Sequence, residues 1–176
     1  MANLKEIVTK AVIGKTKKST SENIEINIEN DISNVLGCWV INHNFTGHNN
    51  NGRVSITGSY DINVWYSYDN NTKTNVVAKS FNYNDVVNVK LKKTETLTND
   101  SEIIVRSLTN PSVRDVILEG NTIKLVLEKE MGVEVVGDMK VRISVEEEVD
   151  DYDLDVDLNS IDNEINENYL NDVNQK

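Results

Sequence analysis

Three side chains of types that bind zinc recur at equal intervals in the first third of the sequence, namely Cys38, His43 and His48. A thiolate and two imidazoles could hold a tetrahedral zinc ion if a fourth ligand came from elsewhere in the chain. However, the close C-x2-C and H-x3-H pairs that anchor most zinc sites are absent, and both histidines flank a predicted turn. We therefore expect Cys38 to be a small buried apolar side chain beside Trp39, the histidines to form hydrogen bonds at a strand end, and no cofactor to be bound.

A second set of possible metal ligands lies near the carboxyl terminus, where Asp153, Asp155, Asp157 and Glu164 match four positions of a calcium-binding loop. The loop requires glycine at its sharp turn, and this chain has Leu158 there. No helix is predicted before the segment either. We expect these carboxylates to attract cations diffusely, without a specific calcium site.

Trp65 is the third candidate, because Asp61, Asn63 and Ser67 share its face of a predicted strand. An aromatic ring among amide and carboxylate groups could stack on a sugar, as in β-sandwich lectins. The alternative is that Trp65 packs under a second sheet or against another subunit, and we prefer it because large aromatic side chains on strands are usually covered. Phosphate-binding loops, a Ser-His-Asp order and metalloprotease motifs are absent, so the sequence predicts no enzyme.

The elements that position these residues are strands, and the clearest one is the segment Arg53–Tyr68. Every second residue from Val54 to Tyr68 is apolar, aromatic or glycine, whereas the alternate positions are small and polar apart from Trp65. This period of two indicates a strand that is buried on one face. Because strands are seldom this long, we expect a bend or bulge near Gly58 and Ser59 that divides the segment into two strands.

Nine or ten candidate strands follow one another before residue 146, with no convincing helix. The segment Val35–Phe45 is a continuous apolar run, typical of a strand covered on both faces. Turn signals lie at Asn51-Gly52, at Asp69–Thr72, at Asn110-Pro111, at Glu119–Asn121 and at Gly137-Asp138, and we expect a break near Asp85. The prediction is an all-β fold, an antiparallel β-sandwich or flattened barrel.

Charge divides the chain into two parts. The formal net charge is −11, and residues 146–176 contain twelve acidic residues and one basic residue, so residues 1–145 are neutral overall. We expect a β-sandwich body over 1–145 and an acidic, mostly flexible tail over 146–176. Negative charge disfavours nucleic acids and anionic membranes as partners, and no apolar run is long enough for membrane insertion. The single cysteine and the absence of a signal-peptide core indicate a cytoplasmic protein.

The tail carries two patterns. Four aspartates alternate with apolar residues, and the following segment changes to a helical spacing with Ser160 as a plausible N-cap, which predicts a short amphipathic helix if the tail docks on a partner. The candidate partner-binding residues are Asp151, Asp153, Asp155, Asp157, Ile161, Ile165 and Tyr169.

Two segments, LGCWVINH at Leu36–His43 and GSYDINVWYSYDNNTKTNVV at Gly58–Val77, resemble the outer spore-coat morphogenetic protein CotE family of endospore-forming bacteria. The amino-terminal EIVTKAVIGK, the later EVVGDMKVRISV and the acidic tail fit the same family, so the resemblance covers most of the chain. The strand-rich body is also similar to the SPOCS-type domain of other coat morphogenetic proteins. Relatives commonly have glycine at the position of Cys38, which leaves open whether this thiol forms intermolecular disulfides.

The resemblance implies a non-enzymatic scaffold that self-assembles around the forespore in the mother-cell cytoplasm and then becomes part of the spore coat. Its implied partners are copies of itself and other spore coat and coat morphogenetic proteins. In this family the amino-terminal part is associated with self-assembly and the carboxy-terminal part with recruitment. We expect the oligomer and packing contacts to involve Trp39, Tyr60, Trp65, Tyr66 and Tyr68.

Overall fold

The computed structural model describes residues 3–92 and 95–145, and the secondary structure of this part of the chain consists of strands. The strands are β1 (Asn3–Asn27), β2 (Ile32–Asn50), β3 (Arg53–Tyr68), β4 (Lys73–Val87), β5 (Glu102–Glu119) and β6 (Thr122–Val145). This confirms the predicted all-β class. Over the described residues there is no helix with the length and hydropathy needed to cross a membrane.

Two compact units divide the chain. The larger is Glu6–Arg142, and the smaller combines Met1–Lys5 with Ile143–Lys176. In the smaller unit the described residues are the outer ends of β1 and β6. The buried core and the ion pairs between strands lie within the larger unit.

The strands form two three-stranded antiparallel sheets, one in the order β1-β6-β5 and the other in the order β2-β3-β4. Side-chain contacts link Lys10 to Asp138 and Lys15 to Glu134, and a hydrogen bond links Ser19 to Glu130. The residue numbers rise along β1 as they fall along β6, which is the signature of an antiparallel pair.

The inner faces of the two sheets form a single apolar core. Along β6, buried and half-buried residues alternate from Ile123 to Gly137, and along β3 the residues in phase with Ile62 are buried except for Gly58 and Tyr68, which are partly buried. A period of two is what a strand requires when one face packs against a second sheet. The buried apolar residues of the two central strands are Val54, Ile56, Tyr60, Ile62, Val64, Tyr66, Ile123, Leu125, Leu127, Met131, Val133 and Val135.

Three of the predicted turns are confirmed. Asn51 and Gly52 have φ values of 51° and 85° and join β2 to β3, as expected for a two-residue hairpin that requires positive φ at both positions. Asp69, Asn70 and Asn71 also have positive φ and join β3 to β4. Gly120, with φ of 60°, lies between β5 and β6.

The predicted number of strands was wrong, because several polar segments remain paired. Asn110-Pro111 is not a turn but lies inside β5, where the register with β6 shifts between Thr109 and Ser112. Gly137-Asp138 lies inside β6, and Asp85 lies inside β4 without a break. The polarity of a side chain does not interrupt backbone hydrogen bonding between strands, even where the side chain points inward as that of Asp85 does, so six long strands replace the nine or ten short ones.

The predicted bend in Arg53–Tyr68 was also wrong. The β3–β4 register is continuous from Val54 opposite Val87 to Tyr68 opposite Lys73. The irregularity lies on the neighbouring strand, where the β2–β3 register shifts between Ile41 and Asn44 and Asn42 has φ of 56°. An extra residue in β2 therefore supplies the local twist, while β3 remains one strand.

The prediction that the segment Val35–Phe45 is covered on both faces was also wrong. The side chains of this segment alternate between partly buried and exposed, and Trp39 and Ile41 are 41% and 40% exposed. The segment is apolar on both faces, but only its inner face packs on the core.

Candidate functional site

The outer face of the β2-β3-β4 sheet carries an unusual group of exposed apolar side chains. Trp65 on β3 is paired in register with Gly37 on β2 and Val76 on β4. The ring of Trp39 lies over Gly37, because a Cβ atom built on that glycine would be 3.6 Å from Trp39 Cζ3. We call Trp39, Ile41, Trp65 and Val76 the outer-face apolar patch; each is between 40% and 49% exposed.

The residues predicted to make oligomer or packing contacts fall into two groups. Tyr60 and Tyr66 are 1% and 2% exposed and belong to the core. Tyr68 is partly buried, with its ring centroid 6.1 Å from that of Tyr66. Trp39 and Trp65 lie outside, so the expectation that Trp65 packs under a second sheet was wrong for the described residues. The alternative partner, another subunit, remains a prediction.

Polar residues beside the patch have partners within the sheet. Asp61 accepts hydrogen bonds from Asn42 Nδ2 at 2.7 Å and from Ser80 Oγ at 2.5 Å, so one carboxylate ties β2, β3 and β4 together. These bonds, with Ser80 contributing most, hold the pKa of Asp61 below its ordinary value. Ser67 is buried and donates to Asn71 Oδ1 at 2.6 Å. Asp61 and Ser67, two of the three polar residues that could surround a sugar on Trp65, therefore already form hydrogen bonds within the protein.

Cys38, His43 and His48 do not come together as a metal site. His43 Nε2 is 2.7 Å from Tyr83 Oη, and His48 Nε2 is 2.7 Å from Thr57 Oγ1. Among the residues that the structure describes, no three histidine, cysteine, aspartate or glutamate side chains are grouped so that they could hold a metal ion. Both histidines form hydrogen bonds as predicted, but His43 lies in the interior of β2 and not at a strand end.

A cluster of charged and aromatic side chains lies between the two sheets. Lys129 on β6 is completely buried, and its Nζ atom is 3.2 Å from Glu22 Oε1 on β1 and 3.3 Å from Asp85 Oδ2 on β4. The same ammonium group lies 3.9 Å from the centroid of the Tyr83 ring. Tyr60 donates a hydrogen bond to Glu22 Oε2 at 3.3 Å. We call Glu22, Tyr60, Tyr83, Asp85 and Lys129 the inter-sheet polar cluster.

Burial controls the protonation of the groups around this cluster. Desolvation raises the pKa of Tyr83 to about 12, with Asp85 and Glu22 adding to the effect, and it also raises the pKa of Tyr60. Desolvation and the nearby Lys129 lower the pKa of His43. Near neutral pH the two tyrosines and the histidine are therefore uncharged.

The alternation-based prediction missed this cluster, although the sequence contains its signal. Lys129 occupies the position between Leu127 and Met131 in the apolar phase of β6. Asp85 occupies the corresponding position between Tyr83 and Val87 in β4, where a break was expected instead. A charged residue in the buried phase of a strand indicates a partner across the core.

The tail residues predicted to bind partners, Asp151, Asp153, Asp155, Asp157, Ile161, Ile165 and Tyr169, lie outside the described residues. The same holds for Glu164 of the calcium-loop pattern.

The chain matches one protein-family model, whose description is outer spore coat protein E (CotE), over residues 3–176. Neither a curated protein nor a solved structure matches the chain.

Proposed function

The chain belongs to the outer spore coat protein E (CotE) family, and from this premise we propose that it is a scaffold that assembles with copies of itself and recruits other proteins to the endospore coat. Membership implies a morphogenetic role in the outer spore coat, and the family is one of structural coat proteins rather than enzymes. The observation that carries the proposal is the family match over nearly the whole chain.

Self-assembly is supported by the outer-face apolar patch. Isolated apolar side chains are common on protein surfaces, but two tryptophans on neighbouring strands, with Ile41 and Val76 around them, are the side-chain types that dominate protein interfaces. Gly37 has no side chain, so the Trp39 ring can lie against the sheet at that position. We propose that this face of the β2-β3-β4 sheet packs against a second copy of the chain.

The acidic tail is the proposed recruitment element. It carries the whole net charge of the chain and combines aspartates with apolar residues, so it can contact basic and apolar surfaces of other coat proteins. We propose that the protein acts first in the mother-cell cytoplasm at the forespore surface and then remains in the spore coat. We propose neither nucleic acid nor a membrane as a partner, because the charge is negative.

The test of self-assembly is the size of the purified full-length protein, measured by light scattering and negative-stain imaging. The wild type is expected to form oligomers, and the Trp39→Ser/Trp65→Ser variant is expected to associate at least roughly thirtyfold more weakly, because the loss of even one hot-spot aromatic costs about 2 kcal/mol or more. The matched control is Ile117→Ser, which removes a side chain that is 58% exposed on β5 of the other sheet.

A wild-type protein that stays strictly monomeric at high micromolar concentration would contradict self-assembly. Equal effects of the double tryptophan variant and of Ile117→Ser would contradict the assignment of the contact to the outer-face apolar patch. Circular dichroism of each variant establishes that the fold is retained.

A carbohydrate-binding module is the second candidate, and the exposure of Trp65 is the observation that favours it. The internal hydrogen bonds of Asp61 and Ser67 count against it. A glycan-binding screen of the wild type and Trp65→Ala decides between the two, since a wild type without binding removes this candidate.

A further inference from the structure

Lys129 is placed among groups with which an amine can react. Its side chain is fully buried, and its Nζ atom contacts two carboxylates. Glu22 belongs to the same sheet as Lys129, and Asp85 belongs to the opposite sheet. A buried ion pair is costly to form, because both charges lose their hydration. Condensation to an amide requires a neutral amine and a neutral carboxylic acid, and the transfer of one proton within the contacting pair gives both.

We propose that Lys129 and Asp85 form an intramolecular isopeptide bond between β6 and β4, with Glu22 as the catalytic residue that transfers the protons. This inference concerns the covalent structure of the subunit and is independent of the proposed scaffold function.

The reaction is a condensation without oxidation or reduction. Transfer of one proton from the Lys129 ammonium group to the Asp85 carboxylate gives a neutral amine and a neutral acid. The Nζ lone pair then attacks Cγ of Asp85, Glu22 accepts a proton from Nζ and delivers it to the departing oxygen, and the Cγ–O bond breaks. One Nζ–Cγ bond forms, one Cγ–O bond is lost, and the products are an amide and one water molecule.

Asp85 rather than Glu22 is assigned as the carboxyl partner because of its surroundings. The Asp85 side chain is 12% exposed, whereas that of Glu22 is 37% exposed, and loss of water is favoured where bulk water is excluded. Within the described residues Asp85 Oδ2 is buried and has no aligned hydrogen bond, so nothing besides the amine holds it. Glu22 is oriented by the Tyr60 hydroxyl at Oε2, which leaves Oε1 directed at the amine, as a proton carrier requires.

Tyr83 completes the arrangement. Its ring centroid lies 3.9 Å from Nζ, on strand β4 two residues before Asp85, so it covers the amine on one side. A Tyr83 pKa raised to about 12 keeps the ring uncharged near neutral pH, so that it does not compete for the lysine proton. The amide product removes two opposite charges from the core and leaves Glu22 with its bond from Tyr60.

Intact-mass spectrometry of the full-length protein, fully denatured, tests the proposal. The wild type is expected to weigh less than its sequence by the mass of one water molecule, and digestion is expected to give a branched peptide that joins Lys129 to Asp85. Lys129→Arg and Glu22→Gln are each expected to have the full sequence mass. Lys15→Arg is the matched control, because Lys15 on β1 is exposed and forms an ion pair with Glu134 on β6. This variant should still lose one water molecule.

A wild-type protein of full sequence mass would overturn the proposal. A mass loss mapped to any other residue pair, or to a dehydrated aspartate without a branch, would overturn it as well. A Glu22→Gln protein that still forms the Lys129–Asp85 branch would overturn the catalytic assignment of Glu22.

Discussion

Glu22, Asp85 and Lys129 point toward the core because the strand alternation fixes the direction of each side chain, whatever its polarity. Glu22 precedes Ile24 and Ile26 in the inner phase of β1, and the other two interrupt the inner phases of β4 and β6. The sequence therefore shows that each residue is directed inward. It does not show that the three meet, because β4 belongs to the opposite sheet and pairing across the core depends on how the sheets are stacked.

Cys38 gives a prediction that depends on pH. Burial raises the pKa of its thiol to about 11, so roughly one molecule in a thousand carries the thiolate at about pH 8. We expect alkylation by iodoacetamide at this pH to be at least about tenfold slower in the folded protein than in urea, where the thiol regains its ordinary pKa of about 8.5. The rate in the folded protein should rise with pH until the pKa is reached.

The measurement is the time course of modification by mass spectrometry, with the urea-unfolded protein as the control. Equal rates in both states at about pH 8 would contradict it. If the prediction holds, folded subunits link through Cys38 disulfides only slowly, because the thiolate is the reactive species.

At the level of the strands, local sequence patterns predicted turns, whereas the ends of the strands depended on pairing with residues that are distant in sequence. The turn at Asn51-Gly52 could be predicted, because the left-handed backbone limits the residue types there. The strand ends could not, since β1 continues through the polar segment after Gly14 and β5 continues through Pro111. The pattern in Arg53–Tyr68 showed correctly which side of the strand is buried, but the bulge lies on β2 and leaves no signal in β3 itself.

Gly58 offers a test of how β3 and β4 fit together. A Cβ atom at this position would lie 2.5 Å from Tyr83 Oη and 2.6 Å from the carbonyl oxygen of Asn44. Tyr83 cannot easily move away, because its hydroxyl contacts His43 and its ring covers Lys129. We expect Gly58→Ala to lower the free energy of unfolding by roughly 1–3 kcal/mol through overpacking, measured by denaturant titration.

Gly37→Ala is the matched control for this substitution. Its Cβ atom would meet only Trp39, at the ordinary contact distance of 3.6 Å, so its effect on the free energy of unfolding should stay within about 0.5 kcal/mol. Similar losses in both variants would show that the close approach of Tyr83 to β3 does not require glycine.

For the whole molecule, the described core is complete before the acidic tail begins. Every buried apolar residue of the core lies between Ile13 and Val135. We expect deletion of residues 146–176 to leave the melting temperature of the body and its oligomeric state unchanged, measured by circular dichroism and light scattering. Capture of other coat proteins should weaken, and in the full-length protein it should fall with added salt, because exposed charges are screened over about 8 Å at physiological ionic strength.

Two outcomes would contradict this division of labour. Loss of folding on deletion would show that the tail is part of the core. Capture of coat proteins by the shortened protein at the same level as by the full chain would show that recruitment resides in residues 1–145.

The all-β class and the location of the net charge could be predicted, since both follow from composition and local pattern. The pairing of β1 with β6 could not, because these strands are far apart in sequence.

The order of the strands in the two sheets determines when each sheet can form during synthesis. During synthesis, β2, β3 and β4 can pair as soon as Val87 leaves the ribosome, whereas β1 waits for β6, the last of the six strands to emerge. At a synthesis rate of about 5–20 residues per second, roughly 3–12 s pass between the appearance of Val87 and that of Val145. Throughout that interval the nascent chain exposes the apolar inner face of one finished sheet, with no opposing sheet to cover it. The second sheet, and with it the cover of this face, cannot be completed before β6 has emerged.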